Sequence, residues 1–290
     1  MKLKRLELRA PTAHLNRMTI SSPSAKLLTL IAAPSWRAAL AAEFQEPYMA
    51  TIADAIDKAE RSSDDELQLS PRRDDIYRAL NLVPIKSVRA VIVGQDPYPH
   101  IGDADGLAFS YRGDGATPNG LGKVLAEAKR DLGWKFKPTR DLTSWAEQGV
   151  LLLNAALTNL VGSTWAHGAL DWQQFIGAVL RTVAACSRPS AIMLWGEKAA
   201  EFSSIFEGTQ HKVFKSDHPC ASRSKGELAA TPFAGSRPFS RANAFLMATV
   251  GTEISWTLPS KPRRRVESRQ RSRQIRPIRS RTVKDRLSRD

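Results

Sequence analysis

The apolar residues of this chain form two kinds of pattern that alternate along the sequence. Short continuous apolar runs predict four buried strands, at Val88–Gly94, Gly149–Leu157, Ser190–Gly196 and His211–Pro219. Helical apolar spacing predicts helices between and after them, at Gly120–Gly133, Leu170–Ser187, 197–206 and 240–250. Continuous apolar strands that alternate with helices are typical of a parallel sheet covered on both faces. The pattern therefore predicts an α/β fold, a three-layer α/β/α arrangement around a central, mostly parallel four-stranded sheet.

The two ends of the chain differ from this pattern. Residues 1–35 mix Lys and Arg with Ser, Pro and Thr and contain a single acid, Glu7. We expect a flexible N-terminal extension there, with a targeting segment or a true start at Met18 as the alternatives. Helical spacing begins near Trp36, where Ser35 is a candidate N-cap. The packed domain is therefore expected to span residues 36–258, followed by a tail over 259–290.

The charge of the chain is concentrated in that tail. From Lys261 to Asp290 there are 13 Lys and Arg against three Asp and Glu, which is +10 of the total net charge of +14. Such a run predicts a disordered extension, and it could also act as a non-specific anchor for a polyanion such as nucleic acid.

Composition excludes several other classes of protein. Hydrophobic residues make up 42% of the chain, enough for a core, but no apolar run approaches the roughly 20 residues of a membrane span. Two cysteines, Cys186 and Cys220, are too few for a disulfide framework or an all-cysteine metal or iron–sulfur site. We expect a soluble protein with no cofactor and no metal, located in the cytoplasm, or in the nucleus or an organelle if the source is eukaryotic.

Three polar side chains follow the predicted strands at the point where each strand ends. Asp96, Asn154 and His218 are an acid, an amide and an imidazole, and each lies at or just past the carboxyl end of its strand. In parallel sheets ligands bind at this edge. The sequence therefore predicts that these three side chains lie together in one site.

The motifs that carry these residues resemble the uracil-DNA glycosylases of the main type, family 1. The similar segments are "GQDPYP" at 94–99, "GLAFS" at 106–110, "GVLLLNAALT" at 149–158, "LWG" at 194–196, "HP" at 218–219 and "PFSRAN" at 238–243. They occur in order between about Trp36 and Trp256. The resemblance implies the fold of that family and a hydrolase that flips uracil out of DNA, cleaves its N-glycosidic bond and leaves an abasic site.

The resemblance also implies roles for the two catalytic candidates. Asp96 is the candidate for stabilising the oxocarbenium-like sugar and orienting water, and His218 for donating to the uracil O2 as negative charge develops. The alternatives are an Asx-turn acid for Asp96 and an ordinary surface or core histidine for His218. Because no lysine stands in the motif positions, we do not expect Schiff-base chemistry or strand cleavage.

Four residues are candidates for binding the base. Asn154 can accept from N3–H and donate to O4, which matches uracil and mismatches cytosine; a structural bridge to backbone is its alternative. Phe109 would stack on the base as in the resembled family, unless it is a plain core aromatic. Tyr98 would exclude the methyl group of thymine by steric clash, and Gln95 would present its backbone amide to the base.

The segment expected to contact DNA departs from the family pattern. Where the family has "HPSPLS", this chain has "HPCASR", so Cys220 replaces a phosphate-gripping serine and Ser222 replaces the leucine wedge. A second phosphate-contact serine is replaced by Gly120. Arg223 is a candidate phosphate contact or gap filler, and Leu228 the candidate wedge.

Two further residues or segments, His167 and the helix start near Ser240, are candidates for contacts around the DNA. His167 aligns with a histidine of the family's polar loop and is assigned a supporting or DNA-facing role. The N-terminus of the helix around Ser240 could bind phosphate. The expected partner is uracil-containing DNA, single- or double-stranded, bound by a monomer that a proteinaceous inhibitor could block, as in the resembled family.

Two other functions remain open at this stage. The altered loop and the basic tail would also suit a catalytically weak protein that binds uracil-DNA or single-stranded DNA on the same fold. A glycosylase for another lesion, or a nucleoside hydrolase, is the second alternative. Tyr98 and Asn154 favour uracil over other bases, and the tail favours a polymer over a nucleoside.

Overall fold

The computed structural model describes residues 22–62, 68–135, 138–221 and 231–259. The helices of these residues are α1 (Pro23–Thr29), α2 (Pro34–Leu40), α3 (Pro47–Arg61), α4 (Arg78–Leu82), α5 (Asn119–Leu132), α6 (Thr143–Ala146), α7 (Trp172–Ala184), α8 (Glu197–Ala200) and α9 (Pro238–Val250). The strands are β1 (Leu69–Ser70), β2 (Ala90–Gly94), β3 (Val150–Asn154), β4 (Asn159–Leu160), β5 (Ala191–Trp195) and β6 (Lys212–Ser216). None of the helices described is long and apolar enough to cross a membrane.

The centre of the molecule is a four-stranded sheet with the strand order β3-β2-β5-β6. All three neighbouring pairs are parallel. Every residue of β2 and β5 is buried, and because successive side chains of a strand point to opposite faces, both faces must be covered. The predicted three-layer α/β/α fold with four parallel strands is confirmed. Each strand is shorter than its apolar run because the flanking residues turn away into loops.

Helices cover the sheet and one another with aromatic and aliphatic side chains. Helices α4 and α6 contact β3, α8 contacts β2 and β5, and α9 contacts β5. The core contains several fully buried tryptophans, Trp36, Trp145, Trp172, Trp195 and Trp256. Helix α5 ends where the sequence predicted, because Gly133 adopts a left-handed conformation with φ 69° and its N–H bonds the carbonyl of Lys129.

Packed structure begins earlier than the predicted boundary at residue 36. Leu27 and Ile31 are fully buried, and α1 packs against α3. Helix α2 starts at Pro34 after Ala33, so Ser35 is not its N-cap. The prediction of a flexible segment through residue 35 was wrong for residues 22–35, because a seven-residue helix gives too little periodicity to stand out in the sequence. The predictions for residues 1–21 and for the tail beyond Pro259 concern residues outside the described ranges.

A short antiparallel pair, β1 with β4, was not predicted. It joins Leu69 to Leu160 and Ser70 to Asn159. Two-residue strands carry almost no alternation in sequence, so the pattern could not show them. Side chains of both strands then contact the loop that follows β2, through bonds from Ser70 Oγ to the Tyr98 carbonyl and from Asn159 Nδ2 to Asp96 Oδ2.

The early start of the fold can be tested at Leu27. Replacing Leu27 with Ala should lower the free energy of unfolding by about 2–5 kcal/mol, since a fully buried leucine is truncated. Lys26→Ala, on the exposed side of the same helix, is the matched control and should leave it nearly unchanged. Urea unfolding followed by tryptophan fluorescence measures both. Equal midpoints for wild type and Leu27→Ala would show that α1 does not pack on the domain.

Candidate active site

The predicted polar residues lie around one cavity of about 240 Å³ at the carboxyl edge of the sheet. The register pairs Gly94 at the end of β2 with Asn154 at the end of β3. Asp96 follows β2 by two residues, and His218 follows β6 by two residues. The cavity is lined by seven of the predicted site residues, namely Gln95, Asp96, Tyr98, Phe109, Asn154, His218 and Cys220. The structure therefore brings together the acid, the amide and the imidazole.

The segment that follows β3 supplies two hydrogen-bond donors to the Asp96 carboxylate. Its Oδ2 accepts from the side-chain Nδ2 of Asn159 at 2.8 Å and from the backbone N–H of Trp165 at 2.7 Å. Burial raises the pKa of the Asp96 carboxyl above its ordinary value, while hydrogen bonds from Trp165 N–H and the Gln95 side chain oppose that rise. The carboxylate is thus partly desolvated but supplied with donors that favour its charged form.

Asn154 presents its side-chain amide to the cavity. Within the part of the chain that the structure describes, no protein group hydrogen-bonds that amide, although the residue is half-buried. Gly94 makes this placement possible, because a Cβ at position 94 would lie 2.7 Å from Asn154 Oδ1 and 3.0 Å from the Phe109 ring. The amide is therefore available to a ligand, which disfavours the structural-bridge alternative.

Phe109 forms an aromatic wall on strained backbone. Its φ is +64°, in the left-handed region, which costs a non-glycine residue of order 1–3 kcal/mol. The Tyr98 hydroxyl donates to the Phe109 carbonyl at 2.8 Å, and Ser70 Oγ donates to the Tyr98 carbonyl at 2.6 Å. Burial raises the pKa of the Tyr98 hydroxyl, so it remains a neutral donor. These bonds fix the two aromatic residues relative to each other.

His218 is fixed in one protonation state and one tautomer. Its Nδ1 accepts the backbone N–H of Cys220 at 3.2 Å, which leaves the ring proton on Nε2. Burial lowers the pKa of the imidazole, so the ring is neutral at neutral pH and Nε2–H is a donor. The ring lies 5.9 Å from that of Phe109, centroid to centroid. Gly196, at φ +98°, allows His218 to lie against its backbone, since a Cβ at position 196 would be 2.9 Å from the His218 Cβ.

Not every predicted residue reaches the cavity. His167 is only 5% exposed and its Nδ1 lies 2.8 Å from Thr158 Oγ1, which also accepts from Trp172 Nε1. Burial lowers the pKa of His167 to about 4. This neutral histidine lies behind the site, so its predicted DNA-facing role was wrong and a supporting role remains. Ser222, Arg223 and Leu228 lie outside the described residues.

Two carboxylates of α5 anchor the chain from Gly235 to Ser240, at the start of α9. The buried Glu127 accepts from the N–H groups of Gly235 and Arg237. Asp131 accepts from the N–H and the hydroxyl of Ser240. A carboxylate thus already accepts the Ser240 N–H at the start of α9, which disfavours the expectation that phosphate binds there.

Asn159 and Trp165 are site residues that the sequence analysis missed. Asn159 lies 63 positions from Asp96 along the chain, and Trp165 acts through its backbone N–H, which carries no sequence signature. Within the described residues, no group of three or more His, Cys, Asp or Glu side chains could hold a metal ion.

Fold and cavity together define a class of protein: an α/β domain that can hold one flat polar ring between a phenylalanine, an amide, a carboxylate and a neutral imidazole. The family described as the uracil DNA glycosylase superfamily matches residues 80–246. The chain belongs to that superfamily.

Relatives and solved structures agree with this assignment. The chain is 40% identical over 237 residues to "Uracil-DNA glycosylase" of Sinorhizobium medicae (strain WSM419), covering 80% of this chain and 93% of the relative. It is 36% identical over 226 residues to "Uracil-DNA glycosylase 2" of Streptomyces avermitilis, covering 78% and 95%. The crystal structure of mimivirus uracil-DNA glycosylase shares its fold, with a TM-score of 0.70 at 19% identity over 81% of this chain and 91% of that one.

The close approach at Gly94 gives a test of the site geometry. Gly94→Ala should reduce the rate of uracil excision by about 100-fold, because the new Cβ displaces Asn154 or Phe109 and catalysis is sensitive to shifts near 1 Å. Gly122→Ala is the matched control, since nothing lies within 4 Å of a Cβ there. Single-turnover excision of an oligonucleotide containing one uracil measures both. Full activity of Gly94→Ala would show that the amide and the ring need not sit this close.

Proposed function

We propose that this uracil-DNA glycosylase excises uracil through Asp96 and His218, with Asn154, Phe109, Tyr98 and Gln95 holding the extruded base. The observation that carries the proposal is the shared cavity, in which a carboxylate, a neutral imidazole and an amide that no described protein group hydrogen-bonds meet beside an aromatic ring. The reaction is hydrolysis of the N-glycosidic bond in DNA repair, which releases free uracil and leaves an abasic site.

The chemistry follows from the charges of the two sides of the cavity. As the bond between the sugar C1′ and N1 of the base breaks, the electron pair passes to the base and the sugar becomes oxocarbenium-like. Asp96 stabilises the cation and orients the water that adds to C1′. The proton that this water loses is taken up by the carboxylate or by solvent. The Nε2–H of His218 donates to O2 as the base becomes an anion. A neutral donor suits this step because it stabilises the anion without transferring a full proton.

Base choice is assigned to the amide and to the tyrosine. Asn154 can accept from uracil N3–H and donate to O4, whereas cytosine lacks N3–H and has an amino group in place of O4. Tyr98 is held rigidly through its hydroxyl bond to the Phe109 carbonyl, so it can exclude a methyl group on C5 by clash. A glycosylase for another lesion would need neither feature.

Uracil-containing DNA is the proposed partner, and the protein is proposed to bind it as a monomer. The proposed location is the cytoplasm. The basic segment beyond residue 260 would add non-specific attraction for phosphates. Related folds include a mimivirus UNG variant solved in complex with UGI, and we extend to this chain the expectation that a protein inhibitor can cover the same cavity.

Asp96→Asn tests the catalytic assignment. It should lower the single-turnover release of free uracil from single-stranded uracil-DNA by at least ~100-fold, because an amide cannot stabilise the cation. Binding of the same oligonucleotide should persist, as measured by fluorescence anisotropy. Binding without release in the wild type would instead support the catalytically weak binding protein. Undiminished release by Asp96→Asn would show that the carboxylate is not required.

The altered loop predicts a preference between strands. Cys220, exposed at the mouth of the cavity, replaces a serine of the family pattern, and Ser222 replaces the wedge leucine. Duplex extrusion should therefore be weak, and the excision rate from single-stranded DNA should exceed that from a matched duplex by ~10-fold or more, since opening a base step costs a few kcal/mol. Parallel assays on the two substrates measure the ratio. A duplex rate equal to or above the single-strand rate would contradict the proposal, and Leu228→Ala would then test Leu228 as the wedge.

A further inference from the structure

One fully buried polar side chain, Asn159, has a place in the site that none of the assigned roles covers. It lies on β4 and is 0% exposed. A buried amide left without partners costs roughly 1–3 kcal/mol, so the structure has to satisfy both of its ends.

Both ends of that amide are used. Oδ1 accepts the backbone N–H groups of Leu160 at 3.0 Å and Ala166 at 2.8 Å. Nδ2 donates to Asp96 Oδ2 at 2.8 Å. A flipped amide would place NH₂ against two N–H donors and oxygen against a carboxylate, so this orientation is the one that the surroundings permit.

Asn159 also supports the second donor to Asp96. The N–H of Trp165 reaches the same oxygen, Asp96 Oδ2, from the residue before Ala166. Trp165 has a φ of +60°, which a tryptophan rarely adopts. The bond from Ala166 to Asn159 holds the loop in the conformation that aims the Trp165 N–H at the carboxylate. Loss of Asn159 would therefore weaken both donors.

We propose that Asn159 is a positioning residue for the reaction, which fixes the orientation of the Asp96 carboxylate and keeps it ionised inside the cavity. The proposal rests on the catalytic role proposed above for Asp96. Hydrogen bonds to a carboxylate favour its charged form, and here they act against the desolvation of a partly buried acid.

The variant Asn159→Asp tests this directly. It keeps the size of the side chain but replaces the donor with a second carboxyl group beside Asp96. Because a neighbouring like charge raises a carboxyl pKa, the acid limb of the single-turnover rate should move up by about one pH unit or more. At pH values below that limb, the variant should then be ~10-fold slower than wild type, with little change in KM. Asn159→Ser, which shortens the side chain and removes the amide Nδ2 without adding charge, should shift the limb in the same direction by less.

Asn81→Asp is the matched control. Asn81 has the same bonding pattern, accepting from Ala32 and Ala33 N–H and donating to the Leu30 carbonyl, but it does not line the cavity. Its variant should lose stability without moving the acid limb. If Asn159→Asp does not fold, Asn159→Ser is compared with Asn81→Asp at equal folded fraction, judged by thermal unfolding.

The outcomes distinguish a failure of the positioning role of Asn159 from a failure of the catalytic role of Asp96. Wild-type excision by Asp96→Asn would overturn both. Loss of activity in Asp96→Asn, together with a wild-type acid limb in both Asn159 variants, would overturn the positioning role alone. A shifted limb in the Asn159 variants, absent in Asn81→Asp, supports it.

Discussion

The site depends on the register of the parallel sheet. Gly94 of β2 pairs with Asn154 of β3, and Trp195 of β5 pairs with Ser216 of β6. Parallel strands in register end at one edge, so the loops that follow them begin side by side. A slip of one residue would turn Asn154 to the opposite face of the sheet. The register thus sets the relative positions of groups that are distant in sequence.

Burial acts on the two titratable groups of the cavity in opposite senses. It lowers the pKa of His218 and raises that of Asp96, and in both cases it favours the neutral form. In the proposed mechanism the neutral histidine is the required form, and one N–H from Cys220 to Nδ1 is enough to set its tautomer. The same mechanism requires Asp96 as the anion, so this acid needs hydrogen-bond donors that offset its desolvation. This difference explains why Asp96 is surrounded by the amide of Asn159 and the N–H of Trp165, whereas His218 has a simpler environment.

The sequence predicted the sheet, its four strands and the residues at their ends, because apolar runs and polar interruptions are local signals. It did not predict α1 or the β1–β4 pair, whose few residues give no clear periodicity. It also missed Asn159, and it left open a DNA-facing role for His167, which is buried. These last two errors arise because the segment after β3 is positioned by tertiary contacts, of Asn159 with Asp96 and of His167 with Thr158, that no local pattern encodes. The family motifs helped only where side chains, rather than backbone groups, do the work.

Base recognition and duplex opening are built from different parts of the molecule. The residues proposed to recognise the base lie at the carboxyl edge of the sheet, and bonds such as that from the Tyr98 hydroxyl to the Phe109 carbonyl hold them together. The residues proposed to open the duplex lie after the sheet, beyond His218, and on the far side of residues 222–230 the carbonyl of Thr231 accepts the Asp217 N–H at 2.9 Å. Glu127 and Asp131 then hold the chain from Gly235 to Ser240. These bonds involve neither Asn154 nor Asp96, so we expect substitutions in residues 222–230 to leave both side chains in place. In the proposed function, the serine and leucine replacements at Cys220 and Ser222 therefore affect how a base leaves the duplex, while the choice of base is assigned to residues at the sheet edge.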